Sequence, residues 1–286
     1  MDNLFDSEIL RVTQNMNPDT IKDFICLMFD GYQQRKRTGN LYNSGKNVPA
    51  FLIKTYYFYF SDKLELNDIY TKFKRKYILN ENKLEDVHDR KERLGLGEVY
   101  DFINKFDDKH WINLYIILKI HQLLYSKVDF PEVGGNFRNC NCFISSSDVD
   151  TTPYDQISQE LGNLYPCFEE LLKKAQDVKM NKQSSDLIGY INDVIELKCK
   201  LIKIHPFRDG NGRTMRAMVN LLFKKVDLPP VYVLAREKDE YIKAMDAAIR
   251  LNNYDLIQGF YYYKICDSIV ELGFEKDLEE TKTISK

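Results

Sequence analysis

One tryptophan, four histidines and six cysteines leave this 286-residue chain little material for a metal cage or a disulfide framework. The cysteines are Cys26, Cys140, Cys142, Cys167, Cys199 and Cys266, and only Cys140 and Cys142 stand close together. No C-x-x-C occurs and no histidine is spaced to complete a cysteine pair, so a zinc site is not expected. Reduced thiols in a cytoplasmic protein fit this usage. A charge excess is also lacking: 41 basic residues face 43 acidic ones, for a net charge of -2. That balance argues against nucleic acid as a partner, although a nucleotide needs only a few well-placed cations. No run of 18 apolar residues appears, so no membrane span is expected. The first twenty residues hold acids and no long apolar stretch, unlike a signal peptide. The expected location is the cytoplasm, or a host cell reached by a leaderless route.

The chain does have apolar material, with 44% hydrophobic residues including 19 Tyr and 17 Phe. That is enough to bury a core, and the length allows about two domains. Helical periodicity dominates, which predicts an all-α fold. Asn17-Pro18 followed by Ile21, Phe24, Ile25 and Met28 gives a cap, a first-turn proline and an apolar stripe. Pro49 opens an aromatic helix, AFLIKTYYFYF, that reads as core or as an interface, including one for a homo-oligomer. Further helices are predicted over 66–76, 97–106, 110–125, 154–177, 185–204, from 211 or 212 to before Pro229, 237–251 and 254–271. Between 131 and 153 the pattern breaks, and Phe137 to Ser145 reads as a β-hairpin. The tail, 273–286, is charged.

One segment stands apart: Ile204-His205-Pro206-Phe207-Arg208-Asp209-Gly210-Asn211-Gly212-Arg213-Thr214-Met215-Arg216. Pro206 disfavours helical geometry at His205, so the preceding helix should stop there. Asp-Gly-Asn-Gly makes a tight turn, and the next helix begins at its end. Backbone N–H groups at such a start form an anion seat, and the helix dipole adds about half a positive charge. Arg213 and Arg216, three apart, share a helix face beside that seat, and guanidinium forks suit phosphate oxygens. Asp209 offers a hard oxygen ligand for a phosphate-bound magnesium. His205 is the one side chain here that titrates near neutral pH, and so the natural proton acceptor. No Lys-Ser/Thr follows the glycines, which excludes a Walker loop. Asn220 stands where an EF-hand starting at Asp209 would need an acid.

HPFRDGNGR, residues 205–213, resembles the Fic family motif HPFx(D/E)GNGR at every fixed position. Gly135-Asn136-Phe137-Arg138 is similar to the G-x-x-R that opens that family's flap hairpin, and Tyr241-Ile242-Lys243-Ala244-Met245 and Asn252-Asn253-Tyr254-Asp255 to its nucleobase-side helices. The resemblance implies an all-α, Fic-type helical bundle with a short β-hairpin flap. It would have a helical N-terminal extension over 1–96 and a catalytic domain over 97–272. It implies transfer of AMP from ATP, with Mg²⁺, to a Ser, Thr or Tyr hydroxyl of a target protein. His205 would be the base and Asp209 the magnesium ligand. Gly210, Asn211, Gly212, Arg213 and Arg216 would bind the phosphates, with Tyr241 and Asn252 near the base of the nucleotide. Arg138, Asn139, Cys140, Asn141 and Cys142 would form the flap that positions the target.

Many Fic proteins carry an inhibitory (S/T)xxxE(G/N) motif whose glutamate pairs with the second arginine of the active-site motif. No intact copy is present. Tyr77-Ile78-Leu79-Asn80-Glu81-Asn82 has the glutamate and the Asn but a Tyr at the Ser/Thr position, and Ser61 to Leu66 offers Glu65 with Leu at the end. Glu81 is therefore an inhibitory candidate or a solvated helix-end charge. Transfer of another nucleotide-derived group, removal of AMP at the same site, and a regulatory or toxin–antitoxin binding module are the alternative functions.

Overall fold

The computed structural model describes residues 16–37, 46–60, 66–106, 112–144, 149–182 and 186–271. Its Cα positions group into two compact units, 65–261 and 1–64 with 262–286. Ten α-helices of eight or more residues lie within the described residues, together with short 3-10 turns. None is long and apolar enough to cross a membrane. The charged tail, 273–286, lies outside the described residues.

In the smaller unit, α1 (Pro18–Arg37) starts where Asn17 Oδ1 accepts the Thr20 N–H at 2.8 Å. Ile21, Ile25, Phe29 and Tyr32 form its buried stripe. In α2 (Asn47–Phe60), Leu52, Ile53, Tyr56 and Tyr57 are buried, so the aromatic run at its centre is core. Tyr32 stacks on Tyr263 at 6.1 Å between ring centroids and donates its hydroxyl to the Tyr263 carbonyl.

The larger unit is built around α8 (Asn211–Lys225), nearly every residue of which is buried. Packed against it are α4 (Arg90–Lys105), α5 (Ile116–Leu124) and α7 (Leu187–Ile204). Outside these lie α3 (Leu66–Leu84), α6 (Ile157–Met180) and α9 (Lys238–Leu251). The last helix, α10 (Asp255–Ile269), runs across the boundary between the units at Tyr261. Two helices exceed their expected bounds by more than one turn. α3 continues from 76 to Leu84 because Tyr77, Glu81 and Leu84 extend the buried stripe of Tyr70 and Phe73. α4 begins at Arg90, not 97, because Asp89 caps it by accepting the Lys91 N–H.

The β-hairpin expected at Phe137 to Ser145 is a correction. No strand occurs among the described residues, and a single antiparallel bridge joins Phe143 to Asp150. Side chains satisfy the backbone groups that a ladder would pair. Arg138 Nη1 donates to the Cys140 carbonyl at 2.7 Å and Nη2 to the Thr152 carbonyl. Thr151 Oγ1 donates to the Cys142 carbonyl, and Asn141 Oδ1 accepts the Tyr154 N–H.

α4 and α5 meet backbone to backbone. A Cβ on Gly95 would lie 1.9 Å from the Leu124 carbonyl oxygen, whereas one on Gly97 meets nothing closer than 3.7 Å. Gly95→Ala should therefore destabilise the protein by roughly 1–3 kcal/mol through overpacking. Gly97→Ala should be neutral or stabilising by up to about 1 kcal/mol, because alanine is the better helix former. Urea-unfolding midpoints of the two variants check the contrast.

Candidate active site

The chain leaves α7 at His205, whose φ of 54° and ψ of 59° are left-handed, unusual for a residue with a side chain. Buried side chains hold this exit. Arg138 Nε donates to the His205 carbonyl at 2.7 Å, and the Arg138 N–H donates to the Pro206 carbonyl. Asn211 spans the turn in both directions: its Oδ1 accepts the Phe207 N–H and its Nδ2 donates to the Phe207 carbonyl. His121 binds the loop from below. Its Nδ1 accepts the Gly135 N–H, so its Nε2 carries the proton and donates to the Asp209 carbonyl at 3.0 Å. Burial pushes the His121 imidazole down to about 4, against the opposing pull of Asp209. Its ring lies flat on Phe207, with centroids 3.8 Å apart. His121 is thus a packed helix histidine with a definite task in shaping the loop.

Gly210 precedes α8 with φ of 72°, and a Cβ there would meet the Tyr125 ring at 2.9 Å. From this point α8 runs away from a cavity of about 490 Å³, so its N-terminus opens onto it. His205, Asp209, Gly210, Asn211, Gly212, Arg213, Arg216 and Tyr241 all line this cavity. Asp209 is anchored at both oxygens, Oδ1 by the Gly210 N–H and Oδ2 by the Tyr125 hydroxyl at 2.9 Å, yet its side chain stays 75% exposed. Tyr125 also accepts from Arg213 Nη2 at 3.1 Å, so one phenol aligns both charged groups. Burial drives this phenol well above its ordinary range, which keeps the O–H in place as donor to Asp209. Burial, with Arg138 nearby, holds the His205 imidazole below its ordinary range against the pull of the Ile202 carbonyl, Asp209 and Glu85. The ring is therefore in its proton-accepting form at neutral pH.

Both arginines are occupied by carboxylates from the end of α3, the turn after it and the first turn of α4. Arg213 Nη1 donates to Glu92 Oε2 at 2.5 Å. Arg216 is 5% exposed, and its Nε donates to both Glu81 oxygens, at 3.0 and 2.8 Å. Its Nη2 donates to Glu85 Oε1 at 2.5 Å. Glu81 has no exposed surface at all, so the structure places it in an ion pair rather than in solvent. Tyr77, at the Ser/Thr position of the motif, packs on Tyr100 with centroids 5.2 Å apart. Glu65 lies outside the described residues.

The remaining expected residues divide. Tyr241 faces the cavity and accepts a hydrogen bond from the buried Lys198 ammonium at 2.7 Å. Asn252 does not line the cavity. It closes α9 as an exposed left-handed cap, which the short polar side chain tolerates. Arg138 is buried and bonded to the backbone, so it ties the 139–152 segment to His205 instead of presenting a surface. Asn139, Cys140 and Asn141 are exposed and Cys142 half-buried, and none of these four lines the cavity. Phe143 and Ile144 do line it. Both fall within the stretch expected as the flap hairpin, whereas sequence reasoning missed Tyr125, Glu85 and Glu92. The signal for Glu85 and Tyr125 was their spacing, four residues after Glu81 and His121, which is one helical turn.

Tyr125→Phe keeps the ring and removes only the hydroxyl between Asp209 and Arg213. It should destabilise the protein by about 1–2 kcal/mol, since the buried Arg213 loses an acceptor while Asp209 can recover water. The change is read from the denaturant midpoint, and a shift below about 0.3 kcal/mol would show that the bridge carries no weight.

Residues 111–223 match the family model described as Fic/DOC family. A protein adenylyltransferase Fic from Drosophila mojavensis is 30% identical over 156 residues, covering 54% of this chain and 28% of the relative. The chain thus matches less than a third of that relative's length. Among solved structures, Fic-1 from C. elegans superposes with a TM-score of 0.55 at 17% identity, over 96% of this chain and 92% of that one. BepC, a VirB-translocated Bartonella effector from Bartonella tribocorum with bound AMPPNP, gives 0.50 at 18% identity, over 64% and 86%. HPFRDGNGR lies inside the residues that match the Fic/DOC family model, and the helical fold around α8 is similar to that of the Fic structures.

Proposed function

We propose that this protein is an adenylyltransferase that moves AMP from ATP to a hydroxyl side chain of a target protein. The observation that carries the proposal is the convergence of His205, Asp209, Arg213 and Arg216 on one cavity at the start of α8. The relatives named as adenylyltransferases, and the AMPPNP-bound structural neighbour, support a nucleotide there.

In this reading the target oxygen attacks the α-phosphorus while the neutral His205 ring takes its proton, and the bond to the β-phosphate bridging oxygen breaks to release pyrophosphate. The α8 N-terminus and Arg213 face the phosphates and stabilise the charge that develops on them. The donor set fits a magnesium ion. Asp209 is a fixed yet exposed carboxylate, a hard oxygen donor at the cavity of the kind that holds a phosphate-bound magnesium. Magnesium bound there would supply charge neutralisation on the phosphates. The target segment would lie along Phe143 and Ile144, which border the cavity on the flap side. Phe143 is 74% exposed and offers an apolar contact. Because the effector neighbour is translocated, delivery into another cell stands beside a cytoplasmic role.

Glu81 on Arg216 favours a second direction at the same site, the removal of AMP from a modified protein. An arginine already paired is less available to the outer phosphates of ATP, whereas an AMP ester brings only one phosphate to the α8 N-terminus. In this reading Glu81 restrains transfer.

Two measurements test these roles. Wild type and His205→Ala, incubated with labelled ATP, UTP or CDP-choline and lysate, should differ by about 10²–10⁴-fold in adduct formed from ATP. Mass spectrometry locates the adduct, and His205-dependent transfer from none of the donors would sink the proposal. Glu81→Gly should raise auto-modification from ATP by about tenfold or more, the scale of one charge-assisted bond. Equal modification by wild type and variant would remove Glu81 as a restraint.

A further inference from the structure

Three arginines and Lys238 line the cavity, and they are not equally engaged. Arg213 is held by Glu92, and Arg216 by Glu81 and Glu85. Lys238 acts on Glu85: burial raises that carboxyl, and Arg216, Arg213 and Lys238 outweigh the burial. Arg208 is the exception. It lines the same cavity, it is exposed, and it makes no hydrogen bond or ion pair among the described residues. The turn accounts for its position. Pro206 and Phe207 are buried, with the Phe207 ring flat on His121, and the chain surfaces at the next residue. A solvated, unpaired guanidinium adds nothing to the stability of that turn.

The same rim carries apolar groups. Phe143, 74% exposed, and Ile144 line the cavity. They belong to the segment that Arg138 fastens to the His205 and Pro206 carbonyls, so the turn that carries Arg208 also anchors the flap. A peptide lying across this rim meets both features at once. A carboxylate on it suits the guanidinium fork, and an apolar side chain suits Phe143. The nucleotide is the other source of anionic oxygens. Its phosphates have the α8 N-terminus, Arg213 and Arg216, whereas Arg208 lies before that helix, between Phe207 and Asp209.

We propose that Arg208 reads the target protein: it binds a carboxylate close in sequence to the hydroxyl that is modified, while an apolar neighbour packs on Phe143. The partner is a protein whose modified hydroxyl lies in a short acidic segment. The inference rests on the transferase reading of this cavity and adds the class of target to it. Arg208 is a specificity residue, not a catalytic one. As a charge at the rim it acts on the association of target and enzyme rather than on the chemical step.

The test uses peptide libraries with one Ser, Thr or Tyr at the centre and randomised flanks, incubated with the full chain and labelled ATP. Wild type, Arg208→Ala, Arg208→Lys and Arg208→Glu are compared, each also combined with Glu81→Gly so that the restraint on Arg216 does not limit the rate. Mass spectrometry reads the flanks of the modified hydroxyls. Wild type should favour peptides with Asp or Glu near the hydroxyl over their Ala or Lys counterparts by about tenfold, the scale of one hydrogen bond to a charged group. Arg208→Ala should lose that preference through KM, with kcat on an acidic peptide changed by less than about twofold. Arg208→Lys should keep part of the preference, and Arg208→Glu should reverse it toward Lys. ATP affinity, measured by calorimetry, should stay within about twofold of wild type in all three. Transfer with unselected flanks, or an acid preference that survives Arg208→Ala and Arg208→Glu, overturns the inference and leaves the transferase reading standing. A loss of ATP affinity of about tenfold in Arg208→Ala assigns the charge to the nucleotide and also overturns it. Transfer to no peptide by any of the proteins overturns it too, because the inference requires recognition of a short segment. The lysate experiment with His205→Ala then decides the transferase reading independently.

Discussion

The site depends on a left-handed exit from α7. His205 takes a backbone conformation that costs a residue with a side chain about 1–2 kcal/mol, and it holds that shape only because the loop after it is bonded from three sides. Asn211 closes the turn on Phe207, His121 holds the Asp209 carbonyl, and Arg138 holds the His205 carbonyl. Each bond is made by a buried side chain, so none competes with water. Because the loop is so constrained, α7 can end and α8 begin with the His205 ring, the Asp209 carboxylate and the α8 N-terminus facing one space. Two of these supports come from outside the motif, from α5 and from the 131–153 segment. That accounts for a buried histidine and a buried arginine in parts of the chain that carry no chemistry of their own.

Around this loop the electrostatics are those of a restrained site. Two guanidiniums that a phosphate ligand would need are engaged by Glu81, Glu85 and Glu92, from the end of α3 to the start of α4. A near-neutral chain can hold such a site because the positive potential is local, supplied by two arginines and a helix start. Under the proposed function, the same economy lets three carboxylates between residues 81 and 92 engage both arginines. The N-terminal boundary of the larger unit at residue 65 places α3 with the helices of the site.

The sequence spoke clearly where the chemistry is consecutive. His205 to Arg216 could be read as base, metal ligand and anion seat because one turn and one helix start dictate their geometry, and His205, Asp209, Gly210, Asn211, Gly212, Arg213 and Arg216 do line one cavity. The all-α fold followed from stripes such as Ile21, Phe24, Ile25 and Met28. Sequence said less wherever a residue acts by reaching across the fold. Tyr125 looked like the end of a helix, and its placement between Asp209 and Arg213 depends on how α5 crosses α8. Arg138 was assigned to a target-binding surface on the hairpin pattern, but the structure uses it as an internal post because its five donors can gather carbonyls from both sides of the segment. Glu81 was ambiguous for a related reason. A Tyr at position 77 breaks the motif, and only the packing of that ring on Tyr100 shows that α3 tolerates it.

The paired carboxylates also bear on what the Glu81–Arg216 bond is for. A buried ion pair contributes little net stability, since the attraction between the charges is offset by the loss of their hydration. Burial accordingly raises the Glu81 carboxyl while Arg216 pulls it back. Removing one partner of such a pair usually leaves the other charge stranded, at about 3–5 kcal/mol. Here it does not, because Glu85 still holds Arg216 Nη2. The second carboxylate therefore separates function from folding: Arg216 can lose Glu81 without becoming an uncompensated buried cation. A stability role alone would need neither the enclosure of Glu81 nor the placement of Glu85 over Gly212. Under the proposed function, the arrangement is a device that decides where the Arg216 charge points, and which anions can reach it.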